Sequence, residues 1–191
     1  MPDVSELPGL DLDAWRAWFV DAARRVVRWI PDDGVAIFFQ SDIRRGGDWV
    51  DKGYLVARAA EDERAHLVFH KIVCREAPDE PTLGRPSYSH LLCVSRTPRP
   101  RVRHASPDVI ASAGTMTWSK ATGVAACRLA CDYLVGETST RTVVDPFCGH
   151  GTVLAVANAA GLDAIGVDRS ERCCRRARRL VVDQPGEPPA R

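Results

Sequence analysis

TVVDPFCGHGTVLAVANAAGLDAIGVD, residues 142–168, decides the fold. Apolar Val143 and Val144 lead into Asp145, and a tight turn carrying Gly149 and Gly151 follows. A helix-forming run comes next, then a second apolar run that ends in Asp168. The pattern predicts strand, glycine turn, helix and strand, with an acid at the tip of each strand. Glycines let the backbone approach a ligand closely, and Asp168 is placed to accept hydrogen bonds from a ribose diol. The expected ligand is an adenosine-containing cofactor.

The residues around the turn narrow that ligand. A dinucleotide fingerprint has a further glycine three residues after Gly151, to bring helix against strand, and Leu154 stands there. A phosphate-cradling loop needs Gly-Lys-Ser/Thr, and the turn has no lysine. An acid just before the turn repels a pyrophosphate and suits a cation. S-adenosylmethionine carries a sulfonium and an ammonium group, so Asp145 fits it better than either nucleotide. Asp145-Pro146-Phe147-Cys148-Gly149-His150-Gly151-Thr152 resembles the S-adenosylmethionine motif of the N6-adenine and N4-cytosine amino-methyltransferases and their RNA-modifying relatives. The resemblance implies that Asp145, Pro146, Phe147, Gly149, Gly151, Thr152 and Asp168 hold that cofactor.

The motif sits near the C-terminus, which resembles the permuted version of the family, with the catalytic half first. The resemblance implies a Rossmann-like α/β sheet with permuted motif order and an antiparallel strand at one edge. HLVFHKIVC (66–74) and RPSYSHLLCVSR (85–96) look like the antiparallel pair that closes the sheet. TMTWSKATGVAACRLACDYLV (115–135) looks like the helix before the motif, which places Ser119, Lys120 and Thr122 in the cofactor pocket. Polar residues there also serve as an ordinary helix cap.

Composition sets the remaining bounds. With 191 residues, 45% hydrophobic and 27% charged, the chain fits one globular domain over 1–183. Its catalytic half is expected over 1–106, its cofactor half over 107–183, and a disordered tail over 184–191. Net charge is +1, so no global field announces nucleic acid. Arg96, Arg99, Arg101 and Arg103, interleaved with Pro98 and Pro100, form an extended basic loop suited to tracking phosphates. Arg172, Arg175, Arg176, Arg178 and Arg179 read as a solvated helix face near the chain end. No apolar run is long enough to span a membrane, and the N-terminus lacks a signal-peptide pattern. The seven cysteines show no Cys-x-x-Cys pair and no His at ligand spacing. Buried thiols of a cytoplasmic protein are expected, with no metal site.

Upstream, Leu12–Ile30 has apolar residues at helical spacing: Trp15, Trp18, Phe19, Ala22, Val26 and Trp29. Asp11 or Asp13 caps it, and Pro31-Asp32-Asp33-Gly34 turns the chain. Val35–Gln40 is a continuous apolar run of the kind a buried parallel strand shows. A helix is expected over Trp49–Glu63 after the Gly46-Gly47 break, then strands over His66–Cys74 and Tyr88–Ser95. The acid- and proline-rich loop 75–86 between them is a candidate substrate lid. Further elements are a helix over Lys120–Val135 and strands over Thr142–Asp145 and Asp163–Asp168.

This count leaves the sheet without its middle. In the family, a strand tipped by Asp-Pro-Pro-Tyr or Ser-Pro-Pro-Tyr lies between the equivalents of the Thr142 and Val35 strands. The matching tip here falls on Met1-Pro2-Asp3-Val4, with no room upstream for the strand. A central strand bonds on both sides, so its loss leaves two open edges. The first expectation is a native start upstream of Met1; the others are direct pairing of the two strands, or a partner chain or second copy in the gap.

The same departure removes the aromatic platform for the base and displaces the acid. Pro2, Asp3 and Glu6, with Ser5, then become the candidate catalytic groups. Asp42 just past the Val35 strand, His70, Lys71, Ser87, Tyr88 and His90 are further candidates, and the carboxyl ends of the strands favour Asp42. The short basic loop is the sole candidate recognition region, which favours RNA over DNA as the nucleic-acid partner. Methylation of a DNA amine, and an inactive cofactor-binding subunit, are the competing expectations.

Overall fold

A computed structural model describes residues 1, 5, 7, 9–99 and 102–182. The candidates Pro2, Asp3 and Glu6 lie outside the described residues, as does the expected tail. The chain forms two compact units, Met1–Ser112 and Ala113–Arg191.

In the first unit, α1 spans Leu12–Trp29, and the Asp11 carboxylate caps it by accepting the Ala14 amide at 2.8 Å. Trp15, Phe19, Ala23 and Val27, each four residues after the last, form its buried row. The row therefore drifts off the expected stripe, and Trp29 is 80% exposed. The helix stops at Ile30, before Pro31.

Strand β1 (Ala36–Gln40) is followed by a hairpin, β2 (Ile43–Arg45) and β3 (Asp48–Val50). Gly46 and Gly47 form its turn, with φ of 59° and 92°. Two consecutive left-handed residues match the strand twist, so the glycine pair makes a hairpin where the sequence suggested only a break. Helix α2 consequently begins at Lys52 instead of Trp49, capped by Asp51, and runs to Asp62. Glu63 at its end accepts from Arg24 (2.6 Å) and Arg28 (2.7 Å), tying α2 to α1.

The main sheet also contains β4 (His66–Cys74), β5 (Tyr88–Ser95) and the short β6 (Val109–Ile110), in the order β1-β5-β4-β6. β5 runs antiparallel to both neighbours, with Gln40 opposite His90 and Cys74 opposite Tyr88. β1 is thus paired antiparallel, unlike the parallel pairing its apolar run suggested. Such a run reports burial, and burial does not encode strand direction. β1 and β4 end at the same edge of the sheet because both are reversed relative to β5. Trp15, Phe19, Val56, Ala59, Phe38, Leu92 and Val94 belong to one buried cluster between helices and sheet.

In the second unit, α3 spans Val124–Glu137, β7 Thr142–Asp145, α4 Thr152–Ala159, β8 Asp163–Gly166 and α5 Glu171–Ala177. β7 and β8 pair in parallel, from Thr142 opposite Asp163 to Asp145 opposite Gly166. The crossover through α4 is the predicted βαβ unit. α3 starts later than expected because residues 113–123 fold back over its first turn, where Ala125 donates to the Ala113 carbonyl at 2.9 Å. Gly123 is required at that start, since a Cβ would lie 2.1 Å from the same carbonyl oxygen. Among the described residues, β1 has β5 as its sole ladder partner and β7 has β8. Those are the two edges that the strand count leaves open. No helix among the described residues is long and apolar enough to cross a membrane.

Candidate active site

The glycine bend between β7 and α4 is built by backbone bonds to the segment after β8. The Val167 amide donates to the Asp145 carbonyl and the Cys148 amide to the Val167 carbonyl, at 2.9 and 3.0 Å. Gly149 and Gly151 take φ of 54° and 83°, which side chains resist. Gly151 also lies against α5, where an added Cβ would meet the Ala177 Cβ at 2.6 Å. α4 then starts with no side-chain cap, so its first amides are left for an anionic group.

The two predicted acids close on this bend. Asp168 Oδ2 accepts the Gly149 amide at 3.1 Å and Oδ1 accepts the Ser170 amide at 2.7 Å. That carboxylate is fixed at the tip of β8, with lone pairs remaining for a diol. Asp145 Oδ1 accepts the Phe147 amide at 2.9 Å. Burial pushes the Asp145 carboxyl above its usual range, against the Phe147 amide, and the charge of Asp168 adds to the rise. A half-buried acid under that strain favours a cationic ligand. The bend, the uncapped helix start and these two carboxylates fit S-adenosylmethionine by the chemistry of their donors and acceptors.

Of the other predicted cofactor residues, Pro146 and Phe147 lie in the turn and Thr152 is buried at the start of α4. Lys120 is exposed in the turn before α3, and Thr122 lies in the loop that follows. Two neighbours were missed by sequence reasoning. Thr117 Oγ1 lies 2.6 Å from Thr152 Oγ1, and the Trp118 ring lies on His150 with centroids 4.2 Å apart. The fold-back of residues 113–123 brings them there, and no periodicity in TMTWSK signals it. His150 also takes a contact from Arg176 at 3.1 Å, and burial followed by that positive charge holds its imidazole below the usual value. All seven cysteines are free, and burial pushes Cys127 up to about 12 and Cys148 to about 11, which makes those two thiols unsuited to nucleophilic work.

A second cluster lies in the first unit. Asp42, just past β1, is 4% exposed and accepts from the Lys52 amide (2.8 Å), Trp49 Nε1 (3.1 Å) and His90 Nε2 (3.1 Å). Burial pushes Asp42 up, but hydrogen bonds led by His90 outweigh it and hold the carboxyl below its ordinary value. His90 Nδ1 lies 2.9 Å from His70 Nε2 on β4, and Tyr88 meets the His90 ring edge-on. Asp42, Asp51 and His90 hold ligand atoms within 4.8 Å of one another. Each Asp42 oxygen already accepts an N–H, and Asp51 Oδ1 accepts the Tyr54 amide, so protein donors satisfy the set. Lys71 is turned to the Ser106 and Pro107 carbonyls and to Asp108.

The basic loop is only partly available to phosphates. Arg96 donates to the Ile30 carbonyl, and Arg99 to Ser95 Oγ and to the Asp33 and Gly34 carbonyls. Arg101 lies outside the described residues.

Comparison with known proteins bears out the resemblance read from the motif. Residues 135–179 match the N6/N4 methyltransferase family model, described as DNA methylase, and the match falls on the glycine bend and both acids. No curated protein matches the chain in sequence. Among solved structures, TTHA0409 of Thermus thermophilus, described as a putative DNA modification methylase and complexed with S-adenosyl-L-methionine, has a TM-score of 0.66. It is 18% identical, with 95% of this chain and 85% of that one covered. PvuII DNA methyltransferase, cytosine-N4-specific, scores 0.68 at 13% identity over 97% and 77% of the two chains. The M1.HpyAVI–SAM complex scores 0.59 at 12% identity over 84% and 80%. The fold is therefore the Rossmann-like methyltransferase fold in its permuted order, and the segment similar to the N6/N4 family model lies toward its C-terminal end.

Proposed function

We propose that this chain is an S-adenosylmethionine-dependent methyltransferase whose substrate is an exocyclic base amine of DNA. The observation that carries the reading is the glycine bend with Asp145 and Asp168 fixed on either side of it. When bound, the donor supplies an electrophilic methyl group on a sulfonium. Asp168 holds the sugar hydroxyls, the half-buried Asp145 offsets positive charge, and the uncapped start of α4 receives a carboxylate. The rest of the catalysis is positioning of the nucleophile in line.

DNA replaces the RNA preference drawn from the short basic loop. The family match is described as DNA methylase, and Arg96 and Arg99 of that loop are engaged with backbone carbonyls. A second reading has a specific motive: Met1, Pro2, Asp3 and Val4 stand where the family carries its catalytic tetrapeptide, as in a cofactor-binding subunit without its own chemistry. Isothermal titration with S-adenosylmethionine, followed by labelled-methyl transfer to DNA, RNA and protein pools, separates the readings. Binding with label in DNA amines supports the proposal, and label in RNA alone redirects it. Binding without transfer to any pool supports the inactive subunit.

A further inference from the structure

Positive charge is concentrated on one element of the second unit. Residues 169–182 hold six arginines against the single acid Glu171, in a chain whose net charge is +1. Helix α5 and the turn after it carry Arg172, Arg175, Arg176 and Arg179, all exposed. The helical turn continues past Ala177, since the Arg179 amide donates to the Arg176 carbonyl at 3.0 Å. Spaced by three or four residues, these arginines share one face of the helix. Half-buried Cys173, Cys174 and Ala177 take the opposite face, and Ala177 lies against Gly151. The stripe borders the donor bend within the same unit, because Arg176 touches His150.

Helix stability does not account for this stripe. Arginine in a last turn meets the negative end of the helix dipole, which suits Arg175 and Arg176. Arg172 lies in the first turn, where the dipole opposes it. It is also three and four residues from Arg175 and Arg176, and like charges at that spacing repel. One ion pair offsets this, Arg175 to Glu171 at 2.6 Å, with both side chains more than half exposed. Arg172 and Arg179 have no side-chain hydrogen bond or ion pair among the described residues. Such a row of uncompensated charge is complementary to a polyanion. At about 1.5 Å per residue the stripe is about 10 Å long, room for about three phosphates of a duplex strand at about 3.4 Å each. Guanidinium forks bind phosphate through two parallel N–H donors, which suits arginine to that role.

We propose that Arg172, Arg175, Arg176 and Arg179 form a docking surface for the phosphate backbone of DNA. The inference rests on the DNA methyltransferase reading and deepens it, by naming where the backbone of the substrate is held. Contacts of this kind are independent of base sequence and release counterions as phosphates take their place. Docking also changes the charge felt at the bend. Burial, then the charges of Arg176 and Arg172, hold the His150 imidazole below its ordinary value, with Asp168 opposing them. Phosphates on the stripe offset both arginines and so raise that value.

The test follows binding of a DNA duplex by fluorescence anisotropy over a range of salt, with the full chain and two double variants. Arg172→Gln with Arg179→Gln removes two charges from the stripe. Arg45→Gln with Arg58→Gln removes two from exposed positions in the first unit. The stripe pair is expected to make the slope of log affinity against log salt shallower by about 2. Binding at about 0.1 M salt weakens by about tenfold or more, while donor affinity holds and the melting temperature does not fall. The control pair keeps the wild-type slope. By NMR, with its signal assigned through His150→Gln, His150 titrates higher when duplex is added to the wild type and is unmoved in the stripe pair. An unchanged slope in the stripe pair, or equal losses in both pairs, overturns the docking surface and leaves the methyltransferase reading intact. Poly-glutamate that displaces the duplex at equal charge overturns it too, since the stripe then takes any polyanion. Methyl label in RNA or protein alone overturns the DNA reading, and the docking surface with it.

Discussion

Asp145 sits in the site at a cost to the fold. Its carboxyl is raised by burial, so the folded state holds a proton more tightly than the unfolded chain does. That contribution is present below the unfolded carboxylate value and is lost as pH rises through the raised value. At neutral pH the ionised group is therefore a burden that a cationic ligand relieves. Asp145→Asn keeps an oxygen for the Phe147 amide, so thermal melts of ligand-free protein at pH 7 are expected to rise with this change. Titration calorimetry of the same variant is expected to show donor affinity down by about tenfold or more, an opposition typical of binding residues. Asp168 behaves differently, since both of its oxygens accept backbone amides. Asp168→Asn sets an NH2 group against one of them and is expected to cost about 1–3 kcal/mol in folding as well as donor binding, read by urea unfolding and calorimetry together.

At the scale of elements, turn chemistry decides what periodicity leaves open. Gly46 and Gly47 are both left-handed, and space around Gly46 is open. Gly46→Asn, a residue that tolerates this region, is expected to stabilise the β2–β3 hairpin by a few tenths of a kcal/mol. Gly46→Val is expected to destabilise it by about 1–2 kcal/mol, and urea midpoints check both. Helix α2 is pinned from its other end. Arg28 and Arg24 hold the Glu63 carboxyl at about 2, below its ordinary 4.5. Stability from this link is present above the ordinary value and falls away as pH drops toward 2, so Glu63→Gln is expected to flatten the acid arm of a stability–pH curve.

The same contrast explains what was legible. β4, β5 and β7 were bounded to the residue because proline, glycine and charge punctuate their apolar runs. The hairpin was missed because three-residue strands leave no period, and the antiparallel pairing of β1 because direction is a tertiary property. Asp145, Gly149, Gly151 and Asp168 were legible as a motif since backbone conformation dictates them locally. The contact of Thr117 with Thr152, of Trp118 with His150, and the Asp42–His90–His70 series join residues far apart in sequence. Only the folded chain assembles those.

For the whole molecule, a net charge of +1 gives no long-range attraction for nucleic acid, so affinity must come from a few local contacts. Arg99 is the instructive member of the basic loop. Its guanidinium donates to Ser95 Oγ at 3.2 Å and to the Gly34 carbonyl at 3.1 Å, which binds the loop to the turn after α1. An arginine engaged with carbonyls carries structure, whereas one on a phosphate releases counterions when DNA binds. Arg99→Ala is thus expected to lower unfolding free energy by about 1–3 kcal/mol in urea. The slope of log affinity against log salt, measured with a DNA duplex by fluorescence anisotropy, is expected to stay at its wild-type value. A slope shallower by about 1 with stability unchanged instead assigns Arg99 to a phosphate. Should Arg99 prove structural, phosphate contact must come from other basic groups, and the same slope measurement applied to each substitution in turn locates them.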